Sequence, residues 1–299
     1  MPAPLPLFLN TVLLGGTTRD KLEAASAAGF QQIELWRQDV EGFNGSVDVL
    51  RDCLATYGLR LADYQVLLDF DGAPPAQRAA KRDEALAMLD TAARVGASTV
   101  LAPASTNPAC DASRVVDDLR WLTAEAQHRN VRIAYEAMAW STVHDTLPSA
   151  WAAVQEVGAT NLGLVVDAFH IFARGRGVAD LDGIPAEKIF LVQLSDLNQG
   201  SGSGEDRGQD SAKHGEHDGN DRSDGAGLNA ADAKDIARHR RLLPGQGHFP
   251  LTALLRCLRE RGYAGPIGLE VFNDALHAAD PAQTARDAMA ALQAVLRSA

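Results

Sequence analysis

Four polar residues stand alone inside apolar runs of this chain: Glu136 in AYEAM, Asp167 in VVDAF, Gln193 in FLVQLSD and Glu270 in GLEVF. An ionised carboxylate at the end of an apolar run is costly unless something pairs with it. Taken singly, each reads as a buried polar group satisfied by the backbone or by an arginine. Taken together, at a similar depth in successive runs, they read differently. Three carboxylates brought to one place repel strongly unless a cation neutralises them. With the Gln193 amide oxygen they make an all-oxygen donor set. That set suits a hard divalent cation such as Mg2+ or Mn2+ better than a thiolate-seeking metal, and open positions would take substrate oxygens.

His170 follows Asp167 by three residues in LGLVVDAFHIFARG (162–175). It falls on the turn just past the apolar run, outside the donor set, where it is expected to transfer a proton to or from a bound substrate. The plainer alternative is a structural histidine bonded to a loop carbonyl. A second cluster, ARHRRLLPGQGHFP (237–250), concentrates Arg238, His239, Arg240 and Arg241 in an otherwise acidic chain. An arginine fork suits a carboxylate or phosphate on a small substrate. Arg240 reads as a solvated charge. The PGQG turn offers Arg241 a fixed anchor, so Arg241 is the expected substrate contact, with His239 beside it. Gln65, taken as a further substrate contact, and Asp69 lie in YQVLLDFDG, and Glu34 lies in QQIELW. All three either line the pocket or are ordinary strand-end polar groups.

These residues need a frame that brings them together. Short β-rich runs at 8–14, 31–36, 59–68, 98–104, 131–138, 162–169, 188–196 and 266–272 alternate with helical patterns. Glycines close several of the helices, and Thr17 or Thr18 caps the first. Eight strand–helix units fit a TIM barrel, which typically takes about 250 residues, with insertions adding more. The strands read as apolar runs, as parallel strands buried on both faces should. The rival is a doubly wound open sheet, but no GxGxxG stands between the first strand and first helix. The expected architecture is therefore α/β: a single (β/α)8 TIM barrel over residues 1–299, with its chemistry at the C-terminal ends of the strands. The segment 198–235, rich in Gly, Ser, Asp and Asn and nearly empty of apolar residues, is expected to be a flexible acidic insertion between strand 7 and helix 7. Its acids and histidines read as a solvated loop rather than a metal site.

The formal net charge is −11, which disfavours a nucleic-acid partner and gives no reason to expect an anionic membrane surface. Cys53, Cys110 and Cys257 are scattered without a CxxC spacing, so reduced thiols are expected rather than a disulfide framework or a cysteine zinc site. No run approaches the roughly 20 apolar residues of a membrane-spanning helix. The N-terminal MPAPLPLFLNTVLLGG lacks the basic start of a secretory signal. The expectation is a cytoplasmic protein acting on a small carboxylate substrate.

The stretches YEAMAW, LGLVVDAFHIFARG, KIFLVQLSD, RHRRLLPGQG and GPIGLEVFND, with AAGFQQIELW and DYQVLLDFDG, carry a family resemblance. The chain resembles the xylose isomerase-like TIM barrels of the sugar phosphate isomerase/epimerase superfamily, and within them the bacterial 3-dehydroshikimate dehydratases. The resemblance covers nearly the whole chain outside 198–235. It implies that Glu136, Asp167, Gln193 and Glu270 bind a divalent metal (Mg2+, Mn2+ or Co2+). It implies that His170 acts in proton transfer, most simply as the base, and that Arg241 anchors the substrate. It further implies metal-dependent dehydration of 3-dehydroshikimate to 3,4-dihydroxybenzoate (protocatechuate) through a metal-stabilised enolate. Many superfamily members have histidine where this chain has Gln193, while some dehydratases have glutamine. Some relatives carry a second, dioxygenase-like domain, which is not expected here. A sugar epimerase, hydroxypyruvate isomerase or inosose dehydratase on the same scaffold is the nearest alternative. RHRRLLPGQG, suited to a substrate carboxylate, favours the dehydratase. A related DNA-repair endonuclease would need several more histidine ligands and a basic surface, and a non-catalytic binding barrel is the remaining alternative.

Overall fold

The structure, a computed structural model, describes residues 5–198 and 227–299. Eight parallel strands close into a barrel in chain order: β1 (Leu7–Asn10), β2 (Gln32–Trp36), β3 (Arg60–Gln65), β4 (Thr99–Pro103), β5 (Arg132–Glu136), β6 (Leu162–Asp167), β7 (Ile189–Leu194) and β8 (Ile267–Leu269). The surrounding helices are α1 (Thr18–Ala27), α2 (Arg37–Glu41), α3 (Val47–Thr56), α4 (Pro75–Val95), α5 (Val115–Gln127), α6 (Leu147–Val157), α7 (Ala168–Phe172), α8 (Ala230–His239), α9 (Leu251–Glu260), α10 (Asp274–Ala278) and α11 (Pro281–Ser298). Local chemistry starts and stops them. Thr17 and Asp20 form a reciprocal capping box at α1, and Gly96, at φ +88°, ends α4.

Side chains two residues apart on a strand share a face. Within the barrel, Phe8, Ala62, Leu101, Ala134, Val165, Phe190 and Leu191 form a dry plug. One step of two residues above Phe8, Ala134, Val165 and Leu191 come Asn10, Glu136, Asp167 and Gln193, all buried. Gly268, two residues before Glu270, is required by the plug: a Cβ there would lie 2.2 Å from Phe8. A larger apolar cluster, including Leu9, Ile33, Leu119 and Val166, fills the space between strands and helices. The hydrophobic effect thus secures both faces of the sheet, and the polar layer rests on the plug.

Several strands are shorter than their apolar runs suggest. β1 stops at Asn10 because its side chain accepts from the Val12 amide at 3.0 Å and turns the chain. β8 stops at Leu269, although the Glu270 amide still donates to the Leu194 carbonyl at 3.2 Å. Most of the expected insertion, 199–226, lies outside the described residues. Its last part does not follow the expectation of a flexible loop: residues 230–235 are the first part of α8. The reason lies in AADAKDIARH, where Ala233, Ile236 and Ala237 fall at helical spacing. They pack with Phe169, Ala173 and Leu197, and Asn229 caps the helix by accepting from the Asp232 amide at 2.9 Å. Among the described residues, no helix is long and apolar enough to cross a membrane, and the three cysteines are unpaired.

Candidate active site

The polar layer converges as the strand register dictates. Asp167 pairs with Gln193 across β6 and β7, and Asn10 pairs with Glu34 across β1 and β2. Gln193 Nε2 donates to Glu34 Oε1 at 2.8 Å and to Glu270 Oε1 at 3.3 Å. Asn10 Nδ2 donates to the same Glu270 oxygen at 3.1 Å. Asp167 Oδ1 accepts from the Phe169 amide at 2.7 Å, so the acid also caps α7. Asp63, in register with Glu34, is fully buried, with no hydrogen bond to either oxygen among the described residues.

So many acids in one dry bed disturb one another. Burial, then Glu270 and Asp167, push the Glu136 carboxyl well above its ordinary range. Burial, then Asp63 and Glu270, do the same to Glu34. Glu270 is pushed up to about 7 by burial, against the pull of Arg241. Glu136 Oε1, Gln193 Oε1 and Glu34 Oε2 are buried without a hydrogen-bond partner among the described residues. A bed of repelling carboxylates with unpartnered oxygens fits a divalent cation, and its donors are the hard oxygens such an ion prefers. One oxygen each of Glu136 and Asp167 and a ring nitrogen of His170 also lie within 4.8 Å of one another.

His170 is buried at the edge of this bed, in α7. Its Nδ1 accepts the Ala139 amide at 3.1 Å, while Trp140 packs edge-on against the ring at 4.9 Å. Its Nε2 lies 3.5 Å from Asp167 Oδ2 and 3.8 Å from Glu136 Oε1, without a hydrogen bond to either. Burial, opposed by Asp167, brings its pKa down to about 4. The neutral ring whose Nδ1 accepts a backbone N–H carries its proton on Nε2.

Arg241 crosses from the end of α8 into the same bed and is only 2% exposed. Its Nη1 donates to Asp167 Oδ2 at 2.8 Å, Glu270 Oε2 at 3.1 Å and the Glu270 carbonyl at 3.2 Å. Its Nε donates to the Ala237 carbonyl at 3.0 Å, and its guanidinium lies 4.6 Å from the Phe169 ring centre. Nη2 has no hydrogen-bond partner among the described residues. Burial would lower the Arg241 pKa, but Asp167 and Glu270 hold it above its ordinary value. The anchor read from PGQG comes from Asp196. Its carboxylate accepts from the Gly245 and Phe249 amides, each at 2.9 Å, and its backbone pairs with Leu242.

Above the bed opens a cavity of about 320 Å³, walled by Trp36, Gln65, Met138, Trp140, Arg238 and Phe272, with Glu136, His170, Arg241 and Glu270 at its base. Of the residues singled out from sequence, Glu136, Asp167, Gln193, Glu270, His170 and Arg241 come together, and Gln65 lines the wall. His239 does not join them. Its side chain is 51% exposed, paired with Asp274 at 3.1 Å on an outer groove. It directly follows Arg238 on the helix, so the helical turn points it away from the cavity. Asp69 ties the loop after β3 to the Thr106 amide at 2.8 Å. Glu34 belongs to the polar layer, in register with Asn10, and accepts from the Gln193 amide. Asn10 and Asp63 were not singled out from the sequence, and Arg238 was named only as a member of the basic cluster. The first two carry the signal that marked Glu136: a polar side chain inside an apolar strand run.

The chain is similar in sequence and fold to known proteins. A 3-dehydroshikimate dehydratase of Pseudomonas aeruginosa is 35% identical over 291 residues, covering 95% of this chain and 40% of its own length. The 3-dehydroshikimate dehydratase of Pseudomonas putida is 31% identical over 286 residues, with the same coverage of 95% and 40%. The chain thus spans about two fifths of the length of these curated relatives. A solved xylose isomerase-like TIM barrel/4-hydroxyphenylpyruvate dioxygenase fusion protein superposes with a TM-score of 0.83 at 29% identity, over 98% of this chain and 43% of that one. The model of the xylose isomerase-like TIM barrel family matches residues 22–295. The closed barrel and the family match over most of the sequence agree, and the chain belongs to the xylose isomerase-like TIM barrel family.

Proposed function

We propose that this barrel is a divalent-metal-dependent hydro-lyase that converts 3-dehydroshikimate to 3,4-dihydroxybenzoate and water. The observation that carries the reading is a buried acid bed under a 320 Å³ aromatic-walled cavity with a guanidinium at one side. The likeness to 3-dehydroshikimate dehydratases over 95% of the chain supports it. Glu136, Asp167, Gln193 and Glu270 would hold the cation. Bound there, a divalent cation supplies Lewis acidity to a ketone oxygen and so acidifies the neighbouring C–H. Arg241 offers Nη2 to the ring carboxylate, and Gln65 offers its amide to a hydroxyl. Trp36, Trp140 and Phe272 exclude water from the ring faces.

The geometry of His170 supports a particular reading of the proton movement. With Nδ1 held by the Ala139 amide, Nε2 presents a proton rather than a lone pair. His170 therefore works as a neutral donor to a substrate oxygen, which differs from the base read from sequence. Of the carboxylates at the cavity, Glu136 keeps an oxygen without a partner. The Glu136 oxygen that does not hold the cation takes the C4 proton and returns it to the departing C5 hydroxyl, which leaves as water. A remaining ring-proton shift makes the product aromatic. Purified protein supplied with Mg2+, Mn2+ or Co2+ is expected to generate the ultraviolet absorbance of the aromatic acid; no product with any of the three overturns the reading. His170→Gln keeps a donor and should retain about tenfold more activity than His170→Ala. Equal losses in the two variants would make His170 the base instead.

A further inference from the structure

We propose that Arg238 is a second substrate contact, which pairs with Arg241 to select a ring bearing a carboxylate over a neutral polyol. The inference rests on the reaction proposed above and deepens it by assigning the specificity. The four consecutive basic residues at the end of α8 have different fates. His239 pairs with Asp274, Arg240 pairs with Asp235, and Arg241 is bound to Asp167 and Glu270. Arg238 alone among them has no hydrogen bond or ion pair with the described residues, yet it is a cavity-lining residue.

Its position gives that freedom a direction. Arg238 adjoins Ala237, whose carbonyl holds Arg241 Nε at 3.0 Å. Arg238 and Arg241, three residues apart in the chain, thus line the same cavity on the side reached from α8. Arg241 is held by its Nε and Nη1 contacts, which leaves Nη2 unengaged among the described residues. The rest of the lining is mostly apolar, with Trp36, Met138, Trp140 and Phe272 beside the neutral amide of Gln65, and the base carries Glu136 and Glu270. A carboxylate on the ring is repelled by that base, and among the described lining residues the cationic side chains are those of Arg238 and Arg241. The cavity is thus polarised, with hydroxyl and ketone oxygens directed to the acid bed and the anion to the helix. A neutral polyol has no group to reward the second arginine.

Arg238 is exposed, so its contribution is screened by salt and smaller than that of a buried fork. The test compares 3,4-dihydroxybenzoate with its uncharged amide, by calorimetric titration of the whole metal-loaded protein. Wild type should bind the acid more tightly than the amide. Arg238→Ala should weaken the acid about five- to tenfold and leave the amide unchanged, and Arg238→Lys should restore part of the difference. With 3-dehydroshikimate, most of the loss should fall in KM rather than kcat. Raising salt from about 0.05 to about 0.5 M should weaken the acid less in Arg238→Ala than in wild type. Equal acid affinity in wild type and Arg238→Ala, equal losses for acid and amide, or a wild type without acid preference each overturns the proposal. The reaction itself fails separately, if wild type yields no aromatic product while the acid preference and its loss in Arg238→Ala stand.

Discussion

Arg241 has two attachments that an arginine chosen only for substrate would not need. Through Nη1 it neutralises two buried acids, Asp167 and Glu270, whose side chains are 1% and 7% exposed. Removing one partner from a buried pair strands the other charge, at a cost of about 3–5 kcal/mol. Arg241→Ala should therefore raise KM and also lower the unfolding free energy measured in urea by that order, with Arg241→Lys in between. An unfolding curve superimposable on wild type would show that the pairing contributes nothing to stability. The alanine substitution alone cannot isolate the substrate contact, which is why Arg238, free of such duties, is the cleaner probe of specificity. At this scale the sequence was legible for residue type but not for partner. A carboxylate in an apolar run announces that something must pair with it. It does not say that the first partner is an arginine 74 residues away.

At the scale of elements, the loop after β3 shows how the bed is steadied. Asp71 is buried and accepts from the Tyr135 hydroxyl at 2.6 Å, tying this loop to β5 one residue before Glu136. Burial brings the Asp71 carboxyl up to about 7, against the lowering effect of the Tyr135 bond. An unfolded aspartate titrates near about 3.9. Between these values the folded protein keeps a proton that the unfolded chain has released. The contribution of this group is therefore fully present below the unfolded pKa and is lost as pH rises toward 7. Asp71→Asn removes the titration. The wild-type midpoint in urea should fall relative to that of the variant as pH rises from about 5 to about 8. A difference independent of pH would refute the assignment. The strand runs were legible because apolar residues mark them. Their ends were less so, since β1 is cut short by an Asn10 side chain bonding its own backbone. α8 was misjudged at its start because Ala233 and Ile236 were hidden in a polar composition.

At the scale of the whole molecule, the barrel gathers charges that its own packing does not fully neutralise. A cation that binds the folded bed but not the unfolded chain stabilises by mass action, by about 2.7 kcal/mol at a hundredfold excess over Kd. Mg2+, Mn2+ or Co2+ should therefore raise Tm saturably, and chelation should reverse the shift. Glu136→Gln combined with Asp167→Asn should abolish the shift while the variant remains folded. A wild-type Tm unmoved by all three ions would contradict the proposed cation. The sequence alone determined the eight-unit barrel and the acids at its strand ends. Both are recorded locally, in the spacing of apolar residues and in polar side chains that interrupt them. Only the tertiary structure decided which charges meet. It joined Asn10 to Glu270 across 260 residues, placed His239 on an outer groove and the exposed Arg238 at the cavity, and set the His170 ring by a backbone amide. Those choices depend on closure of the barrel and the rotation of α8 against it, so they arise from contacts between segments that no single stretch of sequence contains.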